Sequence, residues 1–363
     1  MTTTIRRSSH ALSVLAQMSC LPLSGDAMLD EMLLALRDVV PFDLAAYVAY
    51  GDGGQLVDVR LSAGMSQEVS ANYVQRWYDR LEIESCASRW RHALSQRRYD
   101  CLRISDVMPR LRHTAYFDEV LRPAHLGCEV RLMLRGAGRP LGALSIGRAT
   151  GDFSDTEIAL ARRALPHLAH AMAQRPGQDA SDSGGYDADS ALLIVDSMGR
   201  VQSGSGHAWT LLNRALGRAL TLGTLQDFAH TWAQPFLVRL VQCMRIPQRK
   251  AQDQLPLAVQ RNRYGTFYLR GYVLEAGTGA PALYGIQIQR RATLEQRLFG
   301  SARFRGLTAS EREVALRLAR GATPGDIAQD LGVKTSTAIF HTRNIYRQLE
   351  INQRAQLVSA LLA

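Results

Sequence analysis

The sequence predicts an α+β multidomain chain, and three observations carry that prediction. At on the order of 100–200 residues per domain, the 363 residues allow two to three domains, each with its own core. Strand-like and helix-like spacings of apolar residues alternate up to about residue 290, whereas residues 307–361 show helical spacing only. Within the first of these regions, residues 174–190 read QRPGQDASDSGGYDADS, a Gly/Ser/Asp-rich composition expected of a flexible linker. The predicted organisation is a sensory domain at 1–173, the linker at 174–190, a second α/β domain at 191–296 and an all-α domain at 297–363. A hydrophobic share of 46% with 21% charged residues is that of a globular chain and excludes a disordered one.

In the first domain, Arg6 and Arg7 precede a mildly apolar stretch that Ser13, Gln17 and Ser19 interrupt. It reads as a helix, not a signal peptide. Residues 28–40 have the spacing of an amphipathic helix, and residues 43–50 and 56–61 those of two strands joined by a Gly51–Gly54 turn. The stretch 69–121 is irregular and aromatic. Its Tyr73, Trp77, Tyr78, Trp90, Tyr116 and Phe117 either line a small-molecule pocket or pack a core. A second strand pair follows at 128–134 and 141–146. Asp152-Phe153-Ser154-Asp155-Thr156-Glu157 then has the pattern of a capping box opening a helix from Thr156 to Ala173. Helix, hairpin, irregular middle, hairpin, helix: this order resembles a GAF-like sensory domain.

In the second domain, residues 192–196 read as an apolar strand and 197–200 as a turn. Helices are expected around 207–216 and 234–244, and paired strands at 265–274 and 283–290. This succession resembles a PAS-like fold. A helix at 291–298 then couples it to the last domain.

That last domain has the most explicit signals. Thr308 with Glu311 forms a capping box, and Val314, Leu318 and Ala319 recur at helical spacing up to Gly321. Thr323 caps a second helix, with Pro324 at its first position and Asp326 near its positive end. Gly332 turns the chain, Val333 plugs the turn, and a third helix runs from Thr335 to Leu349, with Ala338, Ile345 and Leu349 inward. Thr335 is expected to cap it, Lys334 occupying the usual cap position. Asn352 is expected to cap a fourth helix carrying Leu357, Val358 and Leu361. A short helix, a glycine turn and a longer helix make a helix-turn-helix, whose second helix enters the DNA major groove.

Leu307-Thr308, Glu311, Glu313-Val314, Gly321, Ile327-Ala328, Leu331-Gly332, Thr337, His341, Asn344-Ile345, Leu349 and Arg354 together resemble the DNA-binding domain of the LuxR family of bacterial transcription regulators. The resemblance implies a four-helix domain whose third helix reads DNA and whose fourth forms a dimer interface. The chain departs from the family pattern at Ser310, where an arginine is usual, and at Ile339, where a lysine is usual. Either Ile339 or Phe340 contacts a thymine methyl, or DNA binding is weak. The expected DNA-facing set is Lys334, Thr335, Ser336, Thr337, Ile339, Phe340, Arg343 and Arg347. Arg343 is the leading base or phosphate contact, while Lys334 and Arg347 are placed for phosphates. His341 and Thr337 suit a structural or backbone-contacting role. The Asp-Pro found after an aromatic run in autoinducer-binding relatives is missing here, which argues against an acyl-homoserine lactone ligand.

Composition narrows the function further. Lys250 and Lys334 are the only lysines, and neither lies in a Gly-x-x-x-x-Gly-Lys-Ser/Thr loop, which excludes a P-loop NTPase. Val-Ala-Ile-Lys and Asp-Phe-Gly are absent, as are Gly-x-Ser-x-Gly and His-Glu-x-x-His. No enzyme is expected, and no cofactor. The five cysteines show no Cys-x-x-Cys spacing, and with His113 and His125 they form no spaced metal set. The net charge of +10 lies after the linker: residues 191–296 contribute +7, residues 297–363 contribute +5, and residues 1–173 only +1. That asymmetry suits a polyanionic partner or a solvated basic surface. The expectation is a cytoplasmic regulator that binds promoter DNA as a homodimer in response to an unknown small molecule, with RNA polymerase a candidate partner and no membrane association. The alternative is a protein-interaction regulator whose helix-turn-helix has lost DNA binding.

Overall fold

The computed structural model describes residues 2–51, 56–61, 67–77, 100–107, 110–137, 139–174, 185–217, 231–245, 258–274 and 281–363. Helices α1 (Thr2–Ser19) and α2 (Leu29–Val39) come first, then strands β1 (Leu44–Tyr50) and β2 (Leu56–Leu61). Short helical pieces within 67–77 and 104–121 flank β3 (Cys101–Arg103). Next come β4 (Cys128–Gly136), β5 (Arg139–Arg148) and helix α3 (Asp155–Ala173). Ser154 and Glu157 close the expected capping box on α3, one residue earlier than the helix start read from the sequence. The strands form one antiparallel sheet in the order β2-β1-β5-β4-β3.

Alternation along the strands sorts side chains to the two faces of this sheet. Ala45, Tyr47, Val130, Leu132, Leu134 and Leu144 join the core beneath α1, α2 and α3. The opposite face is covered by the irregular middle of the domain, where Val69, Trp77, Ile104, Leu111, Tyr116 and Leu121 make a second cluster.

The second domain repeats the strand permutation. Strands β6 (Tyr186–Val195), β7 (Val201–Gly204), β8 (Ala258–Asn262), β9 (Gly265–Leu274) and β10 (Leu283–Ala292) pair antiparallel in the order β7-β6-β10-β9-β8. Helices α4 (Ala208–Ala215) and α5 (Gln234–Arg245) pack on one face over Leu193, Val195, Phe267, Leu269, Ile286 and Ile288. Two expectations are corrected here. Tyr186–Ser190, read as linker, are strand: Tyr186, Asp187, Asp189 and Ser190 stand opposite Ala292, Arg291, Arg290 and Gln289. Residues 291 and 292, read as the start of the coupling helix, finish β10, and that helix is α6 (Leu294–Gly300), capped by Thr293 with Gln296.

The remaining helices are α7 (Ala302–Gly306), α8 (Ala309–Ala319), α9 (Pro324–Leu331), α10 (Thr335–Gln348) and, after a single 3-10 turn, α11 (Leu357–Leu362). Their core is continuous with that of the first domain: Leu12 and Leu15 of α1 and Leu168 of α3 belong to the same apolar cluster as Phe304, Leu307, Val314 and Ile345. The mixed helix and sheet architecture is thus α+β and multidomain, as the sequence predicts. Among the described residues no helix is long and apolar enough to cross a membrane, and no group of His, Cys, Asp or Glu is placed to hold a metal. The buried Cys101 and Cys128 thiols are pushed up to about 11 by desolvation and stay protonated, whereas Cys20 is exposed.

Glu31 sits on the buried face of α2, with its Cγ 3.9 Å from the position a side chain on Gly300 would take. Burial, reinforced by the charge of Asp30 and opposed by Arg290 and Arg214, raises its carboxyl from the ordinary 4.5 to about 7. The folded value exceeds the unfolded one, so the folded chain holds the extra proton. That stabilising contribution is full below pH 4.5 and is lost as pH rises through 7. Glu31→Gln keeps the protonated shape. It is expected to exceed the parent in stability by on the order of 3 kcal/mol at pH 8. At pH 5 the difference shrinks to below about 1 kcal/mol. Urea midpoints at the two pH values check this.

Candidate functional site

The helix-turn-helix is built by its caps. Thr308 with Glu311 and Thr323 with Asp326 form complete capping boxes, each satisfying backbone N–H groups that a helix start leaves orphaned. Gly332 takes φ +64°, a left-handed conformation that glycine adopts without the strain a side chain would bring. Ile327, Ala328, Ala338 and Ile345 are buried between α8, α9 and α10, and Leu349 packs against them half-buried. Three details differ from the sequence reading. The N-cap of α10 is Lys334, whose side chain makes no capping hydrogen bond, and Thr335 is already helical. Val333 does not plug the turn but is 41% exposed. Before α11, Gln353 and not Asn352 forms the reciprocal cap, with Gln356.

With Ala338 and Ile345 inward, one outer face of α10 carries Ser336, Ile339, Phe340, Arg343 and Arg347, all exposed. Lys334 and Thr335 are exposed at its start, and Thr337 is half-buried. The structure therefore brings seven of the eight expected DNA-facing residues to one open surface and leaves Thr337 at its edge. Arg343 has no ion pair among the described residues, and Arg347 donates to Asn344 Oδ1 at 2.9 Å. The His341 ring lies edge-on to Phe340 at 5.6 Å, and its Nδ1 is buried, which suits packing and not base reading. The Thr342 hydroxyl donates to the Ala338 carbonyl at 2.8 Å.

The second candidate is a cavity of about 70 Å³ on the face of the first sheet away from α3. Leu44, Val48, Val59, Val69, Leu121 and Leu126 give it apolar walls, with Tyr73, Tyr116, Glu129 and Ser145 as its polar groups. Of the aromatics singled out in the sequence, Tyr73 and Tyr116 line this cavity. Trp77 packs edge-on to Tyr116 at 5.7 Å and donates to Glu119 Oε2 at 3.0 Å, so it belongs to the core, as does Phe117 beside it. Tyr78 and Trp90 lie outside the described residues.

Sequence reasoning missed Glu129 and Arg131. They stand two apart on β4 and so share a face of the sheet, the one signal that was available. Arg131 Nε meets Glu129 Oε1 at 2.8 Å, the Tyr116 hydroxyl donates to Glu129 Oε2 at 2.6 Å, and Arg131 Nη2 donates to that hydroxyl at 3.0 Å. Burial pushes the Glu129 carboxyl up. The Arg131 charge and the hydrogen bonds from Arg131, Tyr116 and Ser145 outweigh it and leave the group below its ordinary value. The cavity wall is thus polar but close to neutral, since the carboxylate already has its guanidinium.

The fold defines a class first: a helix-turn-helix protein whose second helix is uncovered, attached to two α/β domains of one strand order. Residues 305–361 match the family described as bacterial regulatory proteins, luxR family, so this C-terminal domain is a LuxR-type helix-turn-helix. No curated relative matches the chain. Among solved structures, the GAF domain of a two-component sensor histidine kinase from Bacillus halodurans is 19% identical, over 40% of this chain and 92% of that one, at a TM-score of 0.27. A VqmA–ligand–DNA complex from Vibrio cholera is 14% identical, over 50% of this chain and 83% of that one, at a TM-score of 0.20. A VqmA bound to DPO is 12% identical, over 48% and 81%, at 0.17.

Glu129→Ala leaves the buried Arg131 without its carboxylate and is expected to destabilise the first domain by about 3–5 kcal/mol. The paired change Glu129→Leu with Arg131→Met removes both charges and costs less than the single one. Urea unfolding of the two variants side by side measures the difference.

Proposed function

We propose that this chain is a ligand-responsive, dimeric regulator that binds promoter DNA through α10. The observation that carries the reading is the uncovered outer face of α10. On it Arg343 and Arg347 point outward with no acidic partner among the described residues, while the residues that build the domain are turned inward. Acidic residues are absent from Thr335–Gln348 altogether. A polyanion is the partner that such a face suits. The structure gives no comparable support to a domain that has lost DNA binding.

The cavity beneath the first sheet is the place for the signal. Its apolar walls and internally neutralised Glu129–Arg131 pair favour a small uncharged molecule, with hydrogen bonds to Tyr73, Tyr116 or Ser145. Binding shifts a conformational equilibrium only to the extent that the two states differ in affinity. The route to α10 is short, because α1 of the first domain packs directly against α8. Gln17 Nε2 donates to the Ala309 carbonyl at 2.8 Å, and Arg312 Nη2 donates to Ser13 Oγ at 2.7 Å.

Mobility shift with the full chain tests the DNA reading. Arg343→Ala is expected to weaken binding about 5- to 150-fold, the range of a base contact. Arg347→Ala weakens all sequences alike and lowers the salt slope by about 1. A flat salt dependence of the parent refutes the phosphate contacts. For the cavity, mass spectrometry of the denatured full chain is expected to release a small neutral molecule that Ala46→Leu, which fills the space, no longer retains. Recovery of the same molecule from both chains places it elsewhere.

A further inference from the structure

Within α10 itself the basic residues of the outer face all lie in the second half. Among its exposed side chains, the first half of the helix offers Thr335, Ser336, Ile339 and Phe340, and charge begins at Arg343. Ile339 is 37% exposed and Phe340 59%. Val333, just before the helix, is 41% exposed, so these three are the exposed large apolar residues of the described helix-turn-helix. Ile339 and Phe340 are adjacent, and both lie within helical reach of Ser336 and Arg343 on the same face. Nothing else in the described chain covers them. Leaving two such side chains in water forgoes the stabilisation that covering them would bring, so a partner with apolar groups at this spot is called for.

The surrounding charge says which partner. Lys334 lies on one side of the apolar pair and Arg343 and Arg347 on the other, and the helix has no carboxylate. The first half of a recognition helix is the part that meets base edges. In the major groove every base edge offers hydrogen-bond donors and acceptors, and the thymine 5-methyl is the one apolar group the four bases display there. We infer that Ile339 and Phe340 read thymine methyl groups in the major groove, and that Arg343 supplies the adjacent hydrogen-bonding contact. This rests on the DNA-binding reading of α10 and specifies what that helix recognises: thymines where the first half of the helix meets the groove, and not a site read by bidentate side chains throughout.

The experiment removes the methyl and nothing else. The full chain selects duplexes from a random-sequence pool, and the enriched duplex is resynthesised with deoxyuridine in place of thymidine, which keeps the same hydrogen-bonding edge. The parent is expected to bind the deoxyuridine duplex more weakly, by about fourfold for each methyl it covers. Phe340→Ala and Ile339→Ala are expected to bind the thymidine duplex more weakly and to discriminate less between the two duplexes. Phe340→Leu retains an apolar contact and retains discrimination. Both residues are exposed, so circular dichroism and melting temperature are expected to be unchanged in all three variants. Equal affinity of the parent for the two duplexes overturns the inference while leaving DNA binding intact. Full discrimination persisting in both alanine variants also overturns it. If the alanine variants instead change oligomeric state and bind DNA as the parent does, the pair is a protein contact and the inference fails. Failure to enrich any duplex refutes DNA binding itself, and this inference with it.

Discussion

Arg312 is the constraint on which the arrangement of the chain turns. Its guanidinium sits in α8 yet is only 1% exposed, at the junction of α1, α7 and α8. It donates to the Leu307 and Arg305 carbonyls on its own side, and to Gln17 and Ser13 of α1 on the other. These partners are neutral. Burial therefore pulls the group down to about 10, with Glu313 and Glu311 only partly opposing it, and it remains a cation at neutral pH. A buried cation held by neutral acceptors needs all of them, because each lost acceptor leaves part of the desolvation cost uncompensated. Helix α8 of the helix-turn-helix domain is thereby tied to α1 of the first domain by polar geometry as well as by apolar packing.

The same logic accounts for the charge of the second domain. Its surplus of arginine suggested either a DNA-flanking surface or a solvated one, and the structure shows a different use for much of it. Arg214 pairs with Asp30 at 2.7 Å, Arg263 with Asp26 at 3.0 Å, Arg290 with Asp189 at 2.9 Å and Arg291 with Asp187 at 3.3 Å. Asp26 and Asp30 belong to the first domain, and Asp187 and Asp189 to the stretch expected as linker. Part of the charge imbalance counted over residues 191–296 is thus offset by two ion pairs to the first domain and two within the sheet, to the opening strand β6. On α10, by contrast, Arg343 has no such acidic neighbour among the described residues.

What was legible in the sequence were features that depend on neighbours in the chain. The capping boxes at residues 154–157 and at Thr308, the N-cap at Thr323, the turn at Gly332 and the inward stripe of Ala338 and Ile345 are local, and the sequence shows each with its residues. What was not legible depended on distant chain. Residues 186–190 have a linker's composition, and only their pairing with β10 makes them strand. The sequence expects Val333 to fill the turn, whereas the structure buries Ile327 and Ala328 and leaves Val333 exposed. The Glu129–Arg131 pair hides in an alternating strand because a charged residue facing inward reads as one facing water until the covering layer is known. The cavity depends on that same layer, the stretch whose aromatics Tyr73 and Tyr116 were noticed without a means of separating lining from core.

The two faces of the first sheet bear on how a signal would travel. Tyr116 and Val69 lie on the cavity side, and Leu132 and Leu144 beneath the helices, separated by a single layer of backbone. Ala45 and Ile146 belong to both, lining the cavity while packing in the helix-side core. Close-packed interiors transmit displacement because they have little free volume in which to absorb it. The helix-side core in turn includes Leu15 of α1 and Val314 of α8. A change of packing around Ile146 is therefore separated from the helix-turn-helix by one continuous apolar cluster and the Arg312 junction. Coupling through such a cluster requires two discrete packings of α1 against α8, and the Arg312 hydrogen bonds to Gln17 and Ser13 are the polar contacts that a change between them would break.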